Sequence, residues 1–103
     1  MSNKKTLNIS KDFFEQTFIK KFRTLENGEK YILIFLELQL IASVITNEVT
    51  YEKIDDSFIQ ELALKINEKA SDIEEALSLF EKYNLIKFDD KKEKFIFYPT
   101  SFN

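Results

Sequence analysis

The chain has 103 residues, of which 44% are hydrophobic and 32% charged, so it has the size and composition of one globular domain. It contains no Cys, no His, no Trp and a single Gly. Without thiol or imidazole groups it can form no Cys/His metal site, no disulfide framework and no Ser-His-Asp relay. One Gly cannot build a phosphate-binding loop either. We therefore expect a binding protein rather than an enzyme, with no cofactor and no metal.

The net charge of -3 is unevenly distributed along the chain. Residues 1–25 contain six basic and two acidic residues, whereas residues 26–103 contain nine basic and sixteen acidic ones. The chain thus has a basic N-terminal segment followed by an acidic remainder. Nucleic-acid-binding domains typically have a whole basic face, which this charge distribution does not indicate. No secretory signal follows Lys4 and Lys5, and the apolar stretch at 31–45 is too short and too polar to span a membrane. We expect a cytoplasmic protein with no membrane partner.

The first half of the chain predicts two helices and a short strand. A first helix begins at Ser10, a good N-cap, and ends at a turn at Asn27 and Gly28; its apolar stripe consists of Phe14, Phe18, Phe22 and Leu25. Segment 29–45 is apolar on nearly every side, which fits either two buried strands or a central helix. The absence of a turn residue favours the helix. Residues 48–51 are short and β-branched, which predicts a single strand.

The next segment predicts a helix-turn-helix. Asp55, Asp56 and Ser57 are candidate caps for a helix that buries Ile59, Leu62, Ala63 and Ile66. After a break at 67–70, Ser71 and Glu74 form a predicted capping box. The second helix then places Ile73, Ala76, Leu77, Phe80 and Tyr83 on one face. Two short amphipathic helices with about four residues between them are typical of this motif.

The last segment predicts a β-hairpin, with strands at 85–88 and 94–98, a charged tip at 89–93 and an end at Pro99. A helix-turn-helix followed by a hairpin is a winged helix. The predicted fold class is therefore α+β, mostly α: about four helices, a short strand and a C-terminal hairpin wing. The predicted domain covers residues 10–99, between a flexible basic N-terminus at 1–9 and a tail at 100–103.

Several blocks of the sequence follow the pattern of one protein family. They read DFF at 12–14, KKFRTL at 20–25, GEKY at 28–31, IFLELQL at 34–40, SFIQELAL at 57–64 and ALSLFEKYNLI at 76–86. Together they resemble the N-terminal domain of phage replisome organisers over about residues 7–98. The chain departs from that pattern at Asn84, where the family usually has Gly, and in the acidity of its second helix.

The resemblance implies a winged-helix domain of phage or prophage origin that acts in replication initiation. It also implies binding to origin DNA and to proteins that load the helicase, and self-association through this domain. The partners expected on this basis are duplex DNA, replication and helicase-loading proteins, and a second copy in a homodimer.

The candidate DNA-binding residues lie in three places. The outward face of the second helix of the motif contributes Ser71, Glu75, Ser78 and Lys82, the hairpin tip contributes Lys91, Lys92 and Lys94, and the first helix contributes Lys20, Lys21 and Arg23.

Each group also has a structural alternative. Glu74 and Glu75 would face a duplex that carries one negative charge per ~1.7 Å and would be repelled by it, so helix capping is the favoured role for both. For the hairpin lysines a solvated tip is the favoured role, whereas the cluster on the first helix fits the helix dipole and contact with a phosphate or an acidic partner equally well. The adjacent carboxylates at 55–56, 74–75 and 89–90 have no accompanying catalytic base or further metal ligand in the sequence.

Most of the 11 Phe and 4 Tyr stand at core spacing. Phe95, Phe97 and Tyr98 are the exceptions, because a small hairpin cannot bury both of its faces. These three residues are the candidates for self-association. The leading hypothesis is a non-enzymatic winged-helix module that binds DNA or primosome partners at a replication origin. The alternative is a protein-interaction module, self-associating or bound to a host factor, with little direct contact with DNA.

Overall fold

The computed structural model describes residues 16–98. These residues form a mostly helical α+β domain with a C-terminal hairpin, so the predicted winged helix is confirmed. The elements are α1 (Thr17–Phe22), α2 (Gly28–Ile41), β1 (Glu48–Thr50), α3 (Phe58–Ile66), α4 (Ala70–Lys82), β2 (Ile86–Phe88) and β3 (Lys94–Phe97). The predicted helix start at Ser10, its apolar Phe14 and the two predicted terminal segments lie outside the described residues.

The central helix α2 is confirmed, and the two-strand alternative is wrong. Tyr31, Ile34, Phe35 and Leu38 are buried along it. The helix ends at Ile41, earlier than the predicted end of the segment, because the chain then turns towards β1. At this turn the Ser43 N–H donates to the carbonyl oxygen of Glu48 at 2.9 Å. The Ser43 hydroxyl accepts from the N–H groups of Ile45 and Thr46, each at 3.2 Å.

Helices α3 and α4 form the helix-turn-helix, and Ser57 caps α3 as predicted, with its hydroxyl accepting from the Gln60 N–H at 3.1 Å. The predicted capping box at Ser71 is wrong. Asn67 ends α3 in the left-handed conformation at φ 58°, and the chain re-enters a helix at once with Lys69 as the N-cap. Because the N–H groups of Asp72 and Ile73 already donate to the Lys69 carbonyl, Ser71 lies inside α4.

The hairpin is part of a three-stranded antiparallel sheet in the order β1-β3-β2. Phe95 in the middle strand is aligned with Val49 on one side and Phe88 on the other. One Asp89 carboxylate oxygen closes the hairpin tip by accepting from the N–H groups of Glu93 at 2.8 Å and Lys94 at 3.1 Å. The strand predicted at 48–51 therefore anchors the wing to the domain.

Aromatic rings connect the helices to the sheet. The Phe35 ring of α2 lies 5.2 Å from the Phe80 ring of α4 and 5.4 Å from the Phe97 ring of β3. Phe22 of α1 stacks on Phe80 at 5.9 Å, and Phe95 contacts Phe97 at 5.5 Å. Edge-to-face and stacked pairs at such distances add to the stabilisation from apolar burial. The wing and all three of these helices therefore share one core.

A buried carboxylate holds the connection between β1 and α3. Glu61 is almost fully buried and accepts from the N–H groups of Glu52 at 2.7 Å and Ile54 at 2.8 Å. Burial alone raises the pKa of this carboxyl, but the backbone donors and the Lys65 ammonium outweigh it, so the pKa lies below its ordinary value. Glu61 thereby fixes the start of α3.

Gly28 allows α1 and α2 to approach each other closely. It is the first residue of α2, it is buried, and its N–H donates to the Leu25 carbonyl at 3.0 Å. A Cβ atom at this position would lie 1.6 Å from the carbonyl oxygen of Phe22. Because that oxygen belongs to the backbone, relief of the overlap requires a shift of the α1–α2 connection.

We expect Gly28→Ala to lower the free energy of unfolding by about 3 kcal/mol, the upper part of the range for overpacking a tight site. Urea denaturation monitored by circular dichroism measures the change. Glu29→Ala, at the exposed next position of the same helix, is the control and should stay within about 0.5 kcal/mol of the parent. Equal effects of the two substitutions would contradict the close approach.

Candidate functional site

The outward face of α4, where a helix-turn-helix reads DNA, is acidic. The predicted outward residues are all exposed: Ser71, Glu74, Glu75, Ser78 and Lys82. The helix also carries Asp72 and Glu81, and Lys82 is its one cation. Phosphate neutralisation supplies much of the affinity of DNA-binding proteins, so the middle of this helix is a poor surface for a duplex.

Glu75 is engaged within the domain. Its carboxylate accepts a hydrogen bond of 2.6 Å from the Tyr31 hydroxyl of α2. This bond, together with burial, raises the pKa of Tyr31 to about 12. Although Glu75 is a predicted DNA contact, it serves the packing of α4 against α2 in this structure.

A second polar contact joins α2 to the start of α4. Lys30 forms ion pairs with Glu68 at 3.4 Å and Asp72 at 3.6 Å. Glu37, about two turns after Lys30 on α2, lies near the same Glu68 carboxyl. Burial and a hydrogen bond shared with Glu68 raise the pKa of Glu37 to about 7. The Glu37 carboxyl therefore keeps its proton up to a higher pH than an ordinary glutamate does.

We expect the free energy of unfolding to fall as the pH rises from about 4.5, the ordinary pKa of Glu, towards about 7, the pKa of Glu37 in the folded state. The folded state holds this proton more tightly than the unfolded state, so its stabilising effect is complete at low pH and is lost above the folded pKa. Urea denaturation across this range measures the slope. Glu37→Gln should reduce the slope, whereas Glu29→Gln on the exposed face of α2 should leave it unchanged.

The structure brings Lys82 to the end of the domain that carries the α1 cations. Phe22 of α1 lies 5.7 Å from the Tyr83 ring just after α4, and the Lys82 ammonium lies 5.6 Å from the same ring. Lys20 and Lys21 occupy the last turn of α1, and Arg23 caps it. We call this set the basic end: Lys20, Lys21, Arg23 and Lys82.

Three cations of the basic end, Lys21, Arg23 and Lys82, differ from four other cations of residues 16–98 in having no carboxylate partner there. Ion pairs bind Lys30, Lys53, Lys65 and Lys94 to glutamate or aspartate side chains. Within residues 16–98, no carboxylate lies at ion-pair distance from Lys21, Arg23 or Lys82. These charges are available for an anionic ligand.

The hairpin lysines do not form one surface. Lys94 pairs with Glu48 at 3.7 Å, and the Lys92 ammonium lies 5.8 Å from the Phe88 ring. Lys91 is exposed at the tip next to Asp89 and Asp90. The tip therefore presents mixed charge.

The three self-association candidates separate into two groups. Phe95 and Phe97 are buried in the domain's own core, so their rings are not on a surface that another chain can contact. The reason is the pairing of β1 with β3, which places one face of the sheet over α2. Tyr98 is 38% exposed, as is Ile96 on the outer face of β3.

Sequence reasoning missed two surface features. Leu33 and Leu40 of the central helix are 49% and 46% exposed, and a groove of about 330 Å³ beside them is lined by Arg23, Glu29, Ile32, Leu33 and Leu36. The second is a groove of about 230 Å³ between α3, α4 and the hairpin. The helical spacing of Leu33, Leu36 and Leu40 was the available signal for the first. Nothing local in the sequence marks the second.

Within residues 16–98, no three Asp or Glu side chains are placed to hold a metal ion. In the same range, no helix is both long enough and apolar enough to cross a membrane.

The helix-turn-helix and the hairpin that packs beside it define a winged-helix protein. A family model described as the N-terminal phage replisome organiser matches residues 6–99. The chain therefore belongs to the family of phage replisome organiser N-terminal domains, as the sequence resemblance indicated. No curated protein and no solved structure matches it significantly.

Proposed function

We propose that this domain acts in the initiation of phage DNA replication, in the cytoplasm of the bacterial host, by binding the phosphate backbone of duplex DNA through its basic end. The observation that carries the proposal is that Lys21, Arg23 and Lys82, at the junction of α1 and α4, have no carboxylate partner within residues 16–98. Membership of the replisome organiser family supports the role in replication. The domain has no enzymatic step in this proposal.

The charges of α4 support contact at its end rather than along its middle. Lys82 stands at the C-terminal end, next to the α1 cations, whereas Glu74 stands nearer the N-terminal end. A duplex laid across the basic end would meet Lys82 and avoid most of the acidic face. Ser71 and Ser78 have hydroxyl donors for phosphate, but both lie beside glutamates. Contacts of this kind position a protein on DNA without reading its sequence.

The hairpin tip is a secondary contact in this proposal. Lys91 and Lys92 extend from the tip, and a wing commonly reaches a phosphate backbone beside the helix that lies on the DNA. The neighbouring Asp89 and Asp90 reduce the local charge. We therefore assign the larger share of the binding to the basic end.

We expect Lys21→Glu/Arg23→Glu to weaken binding to a mixed-sequence duplex at least tenfold at about 50 mM salt and to reduce the salt slope by about two, since each lost phosphate contact removes about one. Fluorescence anisotropy across a salt series measures both quantities. Lys53→Glu/Lys69→Glu changes the net charge equally at exposed positions outside the basic end and is the control. Thermal melts verify that it is folded, because Lys53 pairs with Glu93 and Lys69 is the N-cap of α4.

Equal losses in the two variants would show that net charge, and not the basic end, controls binding. Lys91→Glu/Lys92→Glu measures the share of the hairpin tip. A parent protein that binds no duplex at low salt would rule out DNA binding by this domain.

The alternative function, contact with another protein chain, is supported by the exposed apolar side chains of α2. Leu33 and Leu40 are about half exposed, with Leu36 partly exposed between them at helical spacing. Exposed apolar patches of this kind mark interaction surfaces. For a second copy, the same stripe can pack against itself about a two-fold axis, as homodimers commonly do. Helicase-loading proteins are the other partners proposed for this family role.

We expect static light scattering to detect a dimer at high protein concentration and Leu33→Ser/Leu40→Ser to return it to a monomer. Removal of two half-exposed leucines from an interface costs about 2 kcal/mol of association free energy, which is over tenfold in affinity. Val44→Ser/Ile45→Ser removes exposed apolar groups outside the stripe and is the control. A parent that remains monomeric throughout would exclude the second copy as the occupant.

A further inference from the structure

The groove between α3, α4 and the hairpin has an apolar floor and an acidic wall. Phe58 and Ile59 at the start of α3, Leu77 of α4 and Phe88 of β2 supply the apolar lining. Glu74, Ser78 and Glu81 line it from α4, and Lys92 stands on the hairpin side. Its volume of about 230 Å³ accommodates one or two apolar side chains rather than a drug-sized molecule. The groove is a small binding surface on the part of the domain that faces away from the α2 contact.

The two glutamates of this wall have no cation of their own. Within residues 16–98, no Lys or Arg forms an ion pair with Glu74 or Glu81. Lys92, the cation on the opposite wall, lies 5.8 Å from the Phe88 ring and forms no ion pair with them. The two positions are seven residues apart on α4, which separates them by about 10.5 Å along the helix axis, with Ser78 between them. The wall therefore presents two carboxylates at a defined spacing on either side of an opening to the apolar floor.

We propose that this groove binds a protein segment that carries two Lys or Arg residues about 10 Å apart with apolar side chains between them. On a helix, cations seven residues apart have this spacing, and residues three and four positions after the first cation lie on the same face. The apolar side chains would enter the groove, and each cation would pair with one glutamate. This inference is independent of DNA binding by the basic end, since it uses different residues.

The charge of the wall favours a basic protein segment over DNA. A duplex placed in this groove would bring phosphates towards Glu74 and Glu81, and repulsion of like charges opposes that contact. The apolar floor also has no counterpart on a phosphate backbone, whereas an amphipathic helix fills such a groove with its apolar anchors. The same surface that is poor for nucleic acid is thus suited to a basic partner.

The test uses a capped synthetic helical peptide with two lysines seven residues apart and two leucines midway between them. A control peptide has the same composition, with the leucines moved to the opposite face. Titration of the isotope-labelled protein by NMR is expected to shift the amide resonances of Ile59, Ser78 and Glu81 with the first peptide and to leave them nearly unchanged with the second. Ser78→Trp, which places a large ring over the opening, should abolish the shifts of Ile59 and Glu81.

Matched variants test the charges. Glu74→Gln/Glu81→Gln should weaken binding of the peptide about tenfold, as expected for the loss of two exposed ion pairs, and Glu26→Gln/Glu29→Gln changes the net charge equally elsewhere and should have little effect. Thermal melts verify that all variants are folded. Equal affinities for the two variants, shifts that map outside the groove, no binding of the peptide at all, or a duplex that shifts the same resonances would each overturn the proposal.

Discussion

The contact of the Phe35 ring with Phe80 on one side and Phe97 on the other is the interaction on which the rest of the domain depends. It joins the central helix to the helix-turn-helix and to the sheet at one place. Phe22 stacks on the same Phe80, so α1 is held through it as well. Each pair of rings contributes about 0.5–1.5 kcal/mol beyond the area that it buries. A small domain has little other core to rely on, which accounts for the large number of phenylalanines in so short a chain.

The same aromatic contacts decide where the charges stand. Because Phe22 packs on Phe80 and Tyr83, the cations of α1 lie beside the C-terminal end of α4 rather than at a separate end of the molecule. The carboxylates of α4 remain on the other flanks of that helix, where Glu75 contacts α2 and Glu81 lines the groove beside the hairpin. One helix thus separates a basic surface from an acidic one. Under the two proposals, the basic end binds an anionic partner and the groove beside Glu74 and Glu81 binds a cationic one.

Much of the fold was predictable because its signals are local. The apolar stripe of α4, the Ser57 cap and the charged tip between two aromatic strands each depend on neighbours within a few residues. The errors also have local causes. Ser71 and Glu74 have the spacing of a capping box, but Asn67 adopts a left-handed conformation that starts the next helix earlier. The central helix ends at Ile41 although the apolar run continues, because Ser43 turns the chain towards β1.

The amino-acid sequence by itself determined the order and type of the elements, the family, and the absence of thiol and imidazole chemistry, since these depend on composition and on spacing along the chain. Only the tertiary structure decided which side chains meet. It joined Lys82 to the α1 cluster, took Glu75 into a bond with Tyr31, buried Phe95 and Phe97, and opened a groove beside Glu74 and Glu81. Each of these results depends on the packing of elements far apart in sequence. Periodicity assigns a residue to a face of its own helix or strand, but it does not say which other element covers that face.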